Sequence, residues 1–246
     1  MTAPARGAVV VALAALLTVA LTASLGVWQL SRAAQKQALE DRITANAQLP
    51  PWHEAELTQA RELSEGFYRN VDLSGEWVQG HSVFLDNRPM DGHSGFIVVT
   101  PLRLAQSGKV ILVQRGWVPR DFVERTRIPQ IDTPSGPVAL QGRLGPPPSQ
   151  LFELGEAAPG PIRQNIDIAG FSLETGLPLM AASVLQTSPP DRAFQRNWPR
   201  FAAGVQMHHG YAFQWFAMSL ATIALYLWFQ IFSPRRKRRR HGSESR

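Results

Sequence analysis

Two long uncharged apolar stretches, one near each end of the chain, constrain what this sequence can fold into. Residues 7–30 and residues 211–232 contain no Asp, Glu, Lys or Arg. At a rise of about 1.5 Å per residue, each stretch is long enough to cross roughly 30 Å of hydrocarbon. Aromatic residues stand at both ends of the second stretch, as they do at membrane interfaces. The sequence therefore predicts two transmembrane helices, at residues 8–30 and 206–232.

The first stretch has a second interpretation, as a cleaved signal peptide. Arg6 precedes it and small residues occur around Ala20 to Ala23, both of which are typical of a signal peptide. However, the apolar run exceeds the roughly 7–15 residues of a signal core, and the helical pattern continues through Trp28 and Arg32. An uncleaved anchor is therefore the preferred interpretation.

The charge distribution predicts the orientation of the two helices. The formal net charge is +6, yet residues 31–205 hold 17 Lys and Arg against 18 Asp and Glu, so no basic domain for nucleic acid is indicated. Six consecutive basic residues at 235–240 follow the second stretch directly. The positive-inside rule then places the tail, residues 233–246, in the cytoplasm beside the anionic lipid of the bilayer.

Two spans with a cytoplasmic tail also place the N-terminus, residues 1–7, in the cytoplasm and residues 31–205 outside. The N-terminal residues are poorer in Arg and Ser than a mitochondrial targeting segment. The expected location is therefore a bacterial plasma membrane, with both termini cytoplasmic and an extracytoplasmic central domain.

Strand patterns dominate the central domain. Runs rich in β-branched and aromatic residues, separated by turn sequences, predict strands at 69–77, 82–87, 96–104, 110–117, 138–144 and 179–186. A helical stalk over residues 31–47 is expected to end before Pro50 and Pro51, a loop to cover residues 145–161, and a short helix to cover residues 167–175. The expected fold class is membrane-anchored α+β. Two transmembrane helices flank a mostly antiparallel β domain, a small sheet or half-open barrel.

Most familiar chemistries find no support in the sequence. His81 and His93 flank a loop with Asp86 and Asp91, but their spacing matches no metal signature and favours a surface turn. Nucleophile elbow, phosphate loop, metalloprotease and dinucleotide motifs are absent. The chain has no Cys and its five Met are dispersed, which argues against a Cu(I) chaperone. The sequence thus favours a binding protein over an enzyme.

The outer edge of the second span carries the best candidate site. His208, Tyr211 and Trp215 have the spacing of one helix face, and the topology puts the end of the first span at a similar depth. The candidate site residues are His208, Tyr211, Trp215, Trp28, Gln29 and Arg32. Such a set suits a large planar amphiphile, and neutral imidazole is a common axial ligand of haem iron. A histidine that only forms hydrogen bonds in the headgroup region is the alternative.

Four segments of the chain match, in order, the pattern of one known family. They are LGVWQLSRAAQK (residues 25–36), LDNRPMDGHSGFIVVTPL (85–102), VILVQRGWVPRD (110–121) and HHGYAFQWFAMS (208–219). In these segments the sequence resembles the surfeit locus protein 1 family of cytochrome c oxidase assembly factors. One position departs from the family pattern, which usually has Asn where this chain has Gln206.

The resemblance implies a factor that helps the catalytic subunit of a haem-copper cytochrome c oxidase to mature. It implies haem a as a cofactor, with His208 rather than His209 as the ligand of the haem iron, and other oxidase assembly factors as further partners. One alternative is a cofactor-free interaction module that stabilises an oxidase assembly intermediate. The other is an unrecognised membrane-anchored enzyme on the outer face. Arg115, Gly116 and Trp117 are expected to be mainly structural.

Overall fold

The computed structural model describes residues 3–121, 123–124, 127–151, 160–189, 193–198 and 204–232. The elements, in chain order, are α1 (Ala3–Ala47), α2 (Glu54–Gln59), a 3₁₀ turn (Leu63–Gly66), β1 (Asn70–Trp77), β2 (Val83–Leu85), β3 (Gly95–Leu104), β4 (Val110–Pro119), β5 (Pro137–Gly145), β6 (Ile162–Arg163), α3 (Ile168–Thr175), β7 (Leu179–Gln186), α4 (Val205–Tyr226) and a π-helical turn (Leu227–Phe232). The chain divides into two compact units, residues 1–40 with 201–246 and Asp41–Arg200.

The first unit contains a pair of apolar helices, α4 and most of α1. Both helices are long and apolar enough to cross a membrane. In each helix a set of partly or fully buried residues recurs at alternating intervals of three and four, the spacing by which two helices pack along a seam; Ala23 and Leu25 of α1 are also partly buried. In α1 the seam residues are Ala12, Ala15, Val19, Thr22, Gly26, Gln29 and Ala33; in α4 they are His208, Ala212, Trp215, Ser219, Thr222 and Tyr226.

The predicted helical stalk is confirmed, because α1 continues without a break through residues 31–47. Its last turns belong to the second unit, where Ile43 is buried and the Asn46 side chain donates to the Phe67 carbonyl at 2.7 Å. The predicted tail at 233–246 and residues 1–2 lie outside the described residues.

The second unit, the sheet unit, is built around a closed ring of five strands, a small barrel. The order is β1-β5-β7-β4-β3, and β3 pairs again with β1 to complete the ring. Large aliphatic side chains fill the interior because alternate residues of each strand point inward. The buried core cluster consists of Leu57 of α2 and of the strand residues Val71, Leu73, Trp77, Leu102, Leu104, Ile111, Val113, Leu140, Leu144, Ala182 and Val184. The strands β2 and β6 extend the sheet beside β3.

A second cluster of buried residues covers the opposite face of β3 and β4. Val99 and Leu112 pack there with Ile168 and Phe171 of α3. Since β3 and β4 are therefore covered on both faces, their sequences read as nearly continuous apolar runs rather than alternating ones.

The sheet is mixed rather than purely antiparallel, so the expected mostly antiparallel β domain is confirmed only in part. Of the described pairings, β4–β7 and β2–β6 are parallel, and the others are antiparallel. The helix α3 lies between β6 and β7 in the chain, so β7 joins the sheet through a crossover rather than a hairpin. The short elements α2, β6 and the 3₁₀ turn were not predicted. Residues 152–159 of the predicted loop lie outside the described residues.

Candidate functional site

His208 stands in the first turn of α4 and bonds to a side chain of α1. Its Nδ1 lies 2.7 Å from Oε1 of Gln29. An amide oxygen only accepts hydrogen bonds, so Nδ1 carries the proton in this pair. The other ring nitrogen, Nε2, then has the lone pair of the neutral imidazole. No group in the described part of the chain bonds to Nε2, and the His208 side chain is half-buried.

Two further contacts along the seam align the helices so that Gln29 and His208 meet. Toward the centre of the helices, the hydroxyls of Thr22 and Ser219 lie 2.6 Å apart. Gly26 packs against the Phe216 ring, since a Cβ at Gly26 would come within 2.8 Å of Phe216 Cε1. Both contacts pair a residue that precedes Gln29 in α1 with a residue that follows His208 in α4. The two helices are therefore antiparallel.

One side of the helix pair presents aromatic groups beside the imidazole. Trp28 is about 100° from Gln29 around α1, and Tyr211 is about 60° from His208 around α4. Because the helices are antiparallel, these rotations bring the two rings to the same side of the pair. Trp28 is 52% exposed and Tyr211 is 51% exposed. The Arg32 guanidinium, on that same side, stacks 5.9 Å from the centre of the Trp28 ring.

The six predicted site residues therefore divide into three groups. Gln29 and His208 bond directly, and Trp28, Arg32 and Tyr211 line the exposed side next to them. Trp215 is half-buried in the seam, two turns further along α4. His209 is exposed and lies off the seam. The sequence interpretation missed the bond between Gln29 and His208, although helical periodicity places Gln29 on the same face of α1 as Thr22.

Arg115 is buried in the sheet unit. A β-bulge between Val98 and Val99 leaves Arg115 as the extra residue of β4. Its guanidinium lies 4.7 Å from the ring centres of both Trp77 and Phe194. It donates to Thr133 Oγ1 at 2.9 Å and to the Asp132 carbonyl at 2.8 Å. These contacts support the structural role expected for Arg115.

Arg88 is a second buried cation that bonds to backbone. It donates to the carbonyls of Ser149 at 2.7 Å and Gln164 at 3.0 Å. Burial lowers the pKa of Arg88 because the charged form loses hydration. The Arg88 carbonyl in turn accepts from the Trp117 indole N–H at 2.7 Å. The segments at 85–102 and 110–121 are thus joined inside the sheet unit.

The loop with His81 and His93 shows no convergent site. Asp86 forms an ion pair with Arg120 at 3.0 Å, and Asp91 accepts from the Asn197 side chain at 3.0 Å. Among the described residues, no three His, Asp or Glu side chains are grouped so that they could hold a metal ion.

The fold and the site together define a class of protein with three features in chain order. These are an apolar helix, a small β-barrel, and a second apolar helix that carries an accessible imidazole. The chain belongs to the SURF1 family, whose model matches residues 16–220. This confirms the resemblance found in the four sequence segments.

Curated relatives agree with this assignment. A SURF1-like protein of Monosiga brevicollis is 26% identical over 227 residues, which is 85% of this chain and 84% of the relative. A SURF1-like protein of Rickettsia felis is 33% identical over 118 residues, 47% of this chain and 48% of the relative. The protein named cytochrome oxidase assembly protein SHY1, of Saccharomyces cerevisiae, is 28% identical over 104 residues, 40% of this chain and 25% of its own.

Proposed function

We propose that this protein is an assembly factor for a haem-copper cytochrome c oxidase. Membership of the SURF1 family and the name of the yeast relative support this function. In this proposal the protein acts by binding, not by catalysis. Its partners are the catalytic subunit of the oxidase and other assembly factors.

In the same proposal α1 and α4 are transmembrane helices of a bacterial plasma membrane. The basic residues at 235–240 support a cytoplasmic C-terminus, because basic segments are retained on that side. The N-terminus is then cytoplasmic as well, and the barrel is outside. Reporter fusions test this orientation: a periplasmic-type reporter that is active after Arg246 would contradict it.

The finer proposal is that the protein binds haem a at His208 and helps deliver it to the catalytic subunit. The observation that carries it is the bond between Gln29 and His208, which leaves Nε2 with a lone pair and no partner among the described residues. If haem a binds here, His208 would hold it, because haem iron can accept the lone pair of an imidazole nitrogen.

The surroundings of His208 suit a macrocycle of this kind. Trp28 and Tyr211 offer half-exposed aromatic surface on one side of the helix pair. The Arg32 guanidinium beside Trp28 offers positive charge to an anionic substituent. These three residues would hold and orient the ring system, whereas His208 would supply the metal ligand.

Haem titration of purified single mutants in detergent tests the ligand role. His208→Ala should abolish or strongly weaken haem binding and change the absorption spectrum. His209→Ala is the matched control, since its side chain is exposed and about 100° away around the helix. Tyr211→Ala should weaken binding without changing the ligand-dependent spectrum. If His208→Ala binds haem with unchanged affinity and spectrum, the cofactor-free interaction module becomes the better account.

A further inference from the structure

Gln29 contacts the imidazole of His208 through a hydrogen bond and is not itself proposed as an iron ligand. Its Oε1 is already engaged by His208 Nδ1 at 2.7 Å, and its side chain is half-buried in the seam. We infer that Gln29 is a positioning residue, which holds His208 as the Nδ1–H tautomer and keeps Nε2 available to a metal. The identity of that metal as haem iron rests on the proposed function, but the tautomer does not.

The arrangement matches the way proteins commonly orient a ligating histidine. The ring nitrogen that does not bind the metal donates its proton to a fixed acceptor, which selects the tautomer and the ring orientation. In this protein the acceptor comes from the other helix. The bond therefore makes the imidazole depend on the packing of α1 against α4.

The neighbours of Gln29 on the seam explain why a long side chain is needed. Gly26 and Ala33 lie one turn before and one turn after it, and Ala33 is only 2% exposed. Both are too short to reach the imidazole. A glutamine at this position extends an oxygen across the seam, whereas asparagine is one methylene shorter.

Two substitutions separate the acceptor from the bulk of the side chain. Gln29→Met keeps the length but removes the acceptor oxygen, and Gln29→Glu keeps an acceptor at the same distance from the backbone. Gln214→Met is the matched control, because Gln214 is exposed and lies about 120° around α4 from His208.

Nitrogen NMR of the haem-free protein, labelled with ¹⁵N-histidine and kept in detergent at alkaline pH, reports the tautomer directly. The His208 signals are those that disappear in His208→Ala. We expect the Nδ1–H form in the wild type, in Gln29→Glu and in Gln214→Met. Gln29→Met should shift the signals toward the Nε2–H form. An unchanged tautomer in Gln29→Met would overturn the inference.

Haem binding and reduction potential provide the second readout. Loss of such a supporting hydrogen bond typically lowers metal affinity by about 10- to 100-fold, and we expect a loss of this size for Gln29→Met. Gln29→Glu should retain haem and lower its reduction potential, because a carboxylate acceptor makes the imidazole a stronger donor. Equal haem affinity and equal reduction potential in the wild type, Gln29→Met and Gln29→Glu would contradict the positioning role.

The two readouts distinguish the two proposals. If the tautomer responds to Gln29→Met as expected but the wild type binds no haem, the role of Gln29 stands and the haem proposal fails. If the wild type binds haem through His208 while the tautomer ignores Gln29, the haem proposal stands and the role of Gln29 fails.

Discussion

The sheet unit and the helix pair treat their buried polar groups in different ways. In the sheet unit the buried charged side chains each bond to backbone: Glu54 accepts from the backbone N–H groups of Gln106 and Ser107, and Arg115 donates to the Asp132 carbonyl. In the helix pair, polar side chains bond to each other across the seam, as Gln29 and His208 do.

If the protein binds haem as proposed, this difference separates the part that stabilises the fold from the part that binds. A side chain bonded to backbone on several sides has little capacity left for a ligand, and its loss exposes buried donors or acceptors. A side chain bonded through one atom to another side chain keeps its second atom available. Substitutions in the sheet unit should therefore reduce stability, whereas substitutions at His208 should change binding.

The largest effect on stability is expected for Gly116→Ala. The added Cβ would lie 2.6 Å from Phe194 Cβ and 3.0 Å from the Gln195 carbonyl. The Gln195 segment is held by two backbone hydrogen bonds to Trp117, at 2.8 and 2.9 Å, so it cannot easily move away. We expect overpacking to lower the free energy of unfolding by about 3 kcal/mol.

Gly145→Ala is the control for this comparison, because its nearest neighbour, the Ser183 carbonyl, would be 4.0 Å from the new Cβ. Chemical unfolding in detergent measures both variants. Haem affinity of the Gly116→Ala protein that remains folded should match that of the wild type. If affinity falls while stability holds, the division between the two units is wrong.

A smaller loss is expected for Arg115→Met. This substitution keeps an apolar stem between Trp77 and Phe194 but removes the donors to Thr133 and Asp132. Charged hydrogen bonds of this kind contribute up to about 3 kcal/mol, and we expect a loss of about 2 kcal/mol. Arg103→Met, at an exposed position of β3, should be nearly neutral. Equal unfolding curves for Arg115→Met and Arg103→Met would show that the hydrogen bonds of Arg115 do not stabilise the barrel.

Glu54 should make the stability of the sheet unit depend on pH. Burial alone would raise the pKa of Glu54, but the hydrogen bonds from Ser107 and Gln106 outweigh it and lower that pKa below its ordinary value of 4.5. The stabilising contribution is therefore present above pH 4.5 and is lost as the pH falls through the folded-state pKa.

Glu54→Gln tests this dependence through unfolding free energies measured between neutral and acidic pH. At neutral pH the variant should be less stable by about 1 kcal/mol, since one neutral acceptor replaces a carboxylate. The difference should shrink below pH 4.5. Glu76→Gln, at an exposed position of β1, is the control and should show no such convergence. A difference that stays constant with pH would contradict the role of the Glu54 charge.

The sequence predicted the elements of the sheet unit better than their pairing. Alternation in β1 and the apolar runs of β3 and β4 are local signals, and the predicted strands agree with the observed ones to within a few residues. The parallel pairing of β7 with β4 depends on a crossover through α3, and no local pattern specifies it. The helix α2 has six residues and β6 has two, too few for a periodic signal.

The sequence placed the candidate site residues at similar depths but did not give their angles around the two helices. The two predicted spans were expected to place Gln29 near His208, and the structure joins these two side chains. Depth alone also grouped Trp28 and Arg32 with them, although both side chains are rotated away from Gln29 around α1. Helical periodicity applied to both helices would have separated the seam residue Gln29 from the exposed Trp28.

The smallest effect is expected for the second polar contact of the seam, between Thr22 and Ser219. Their hydroxyls lie 2.6 Å apart, but each also bonds to its own helix, Thr22 to the Thr18 carbonyl at 2.8 Å and Ser219 to the Trp215 carbonyl at 3.3 Å. Neither hydroxyl is left without a partner when the other is removed. A double-mutant cycle of Thr22→Val and Ser219→Ala, followed by unfolding in detergent, should give a coupling of about 0.6 kcal/mol. Haem affinity should not change in any of these variants, because both residues lie below the level of His208. A coupling several times larger, or a loss of haem affinity, would mean that the whole seam rather than the contact between Gln29 and His208 determines the site.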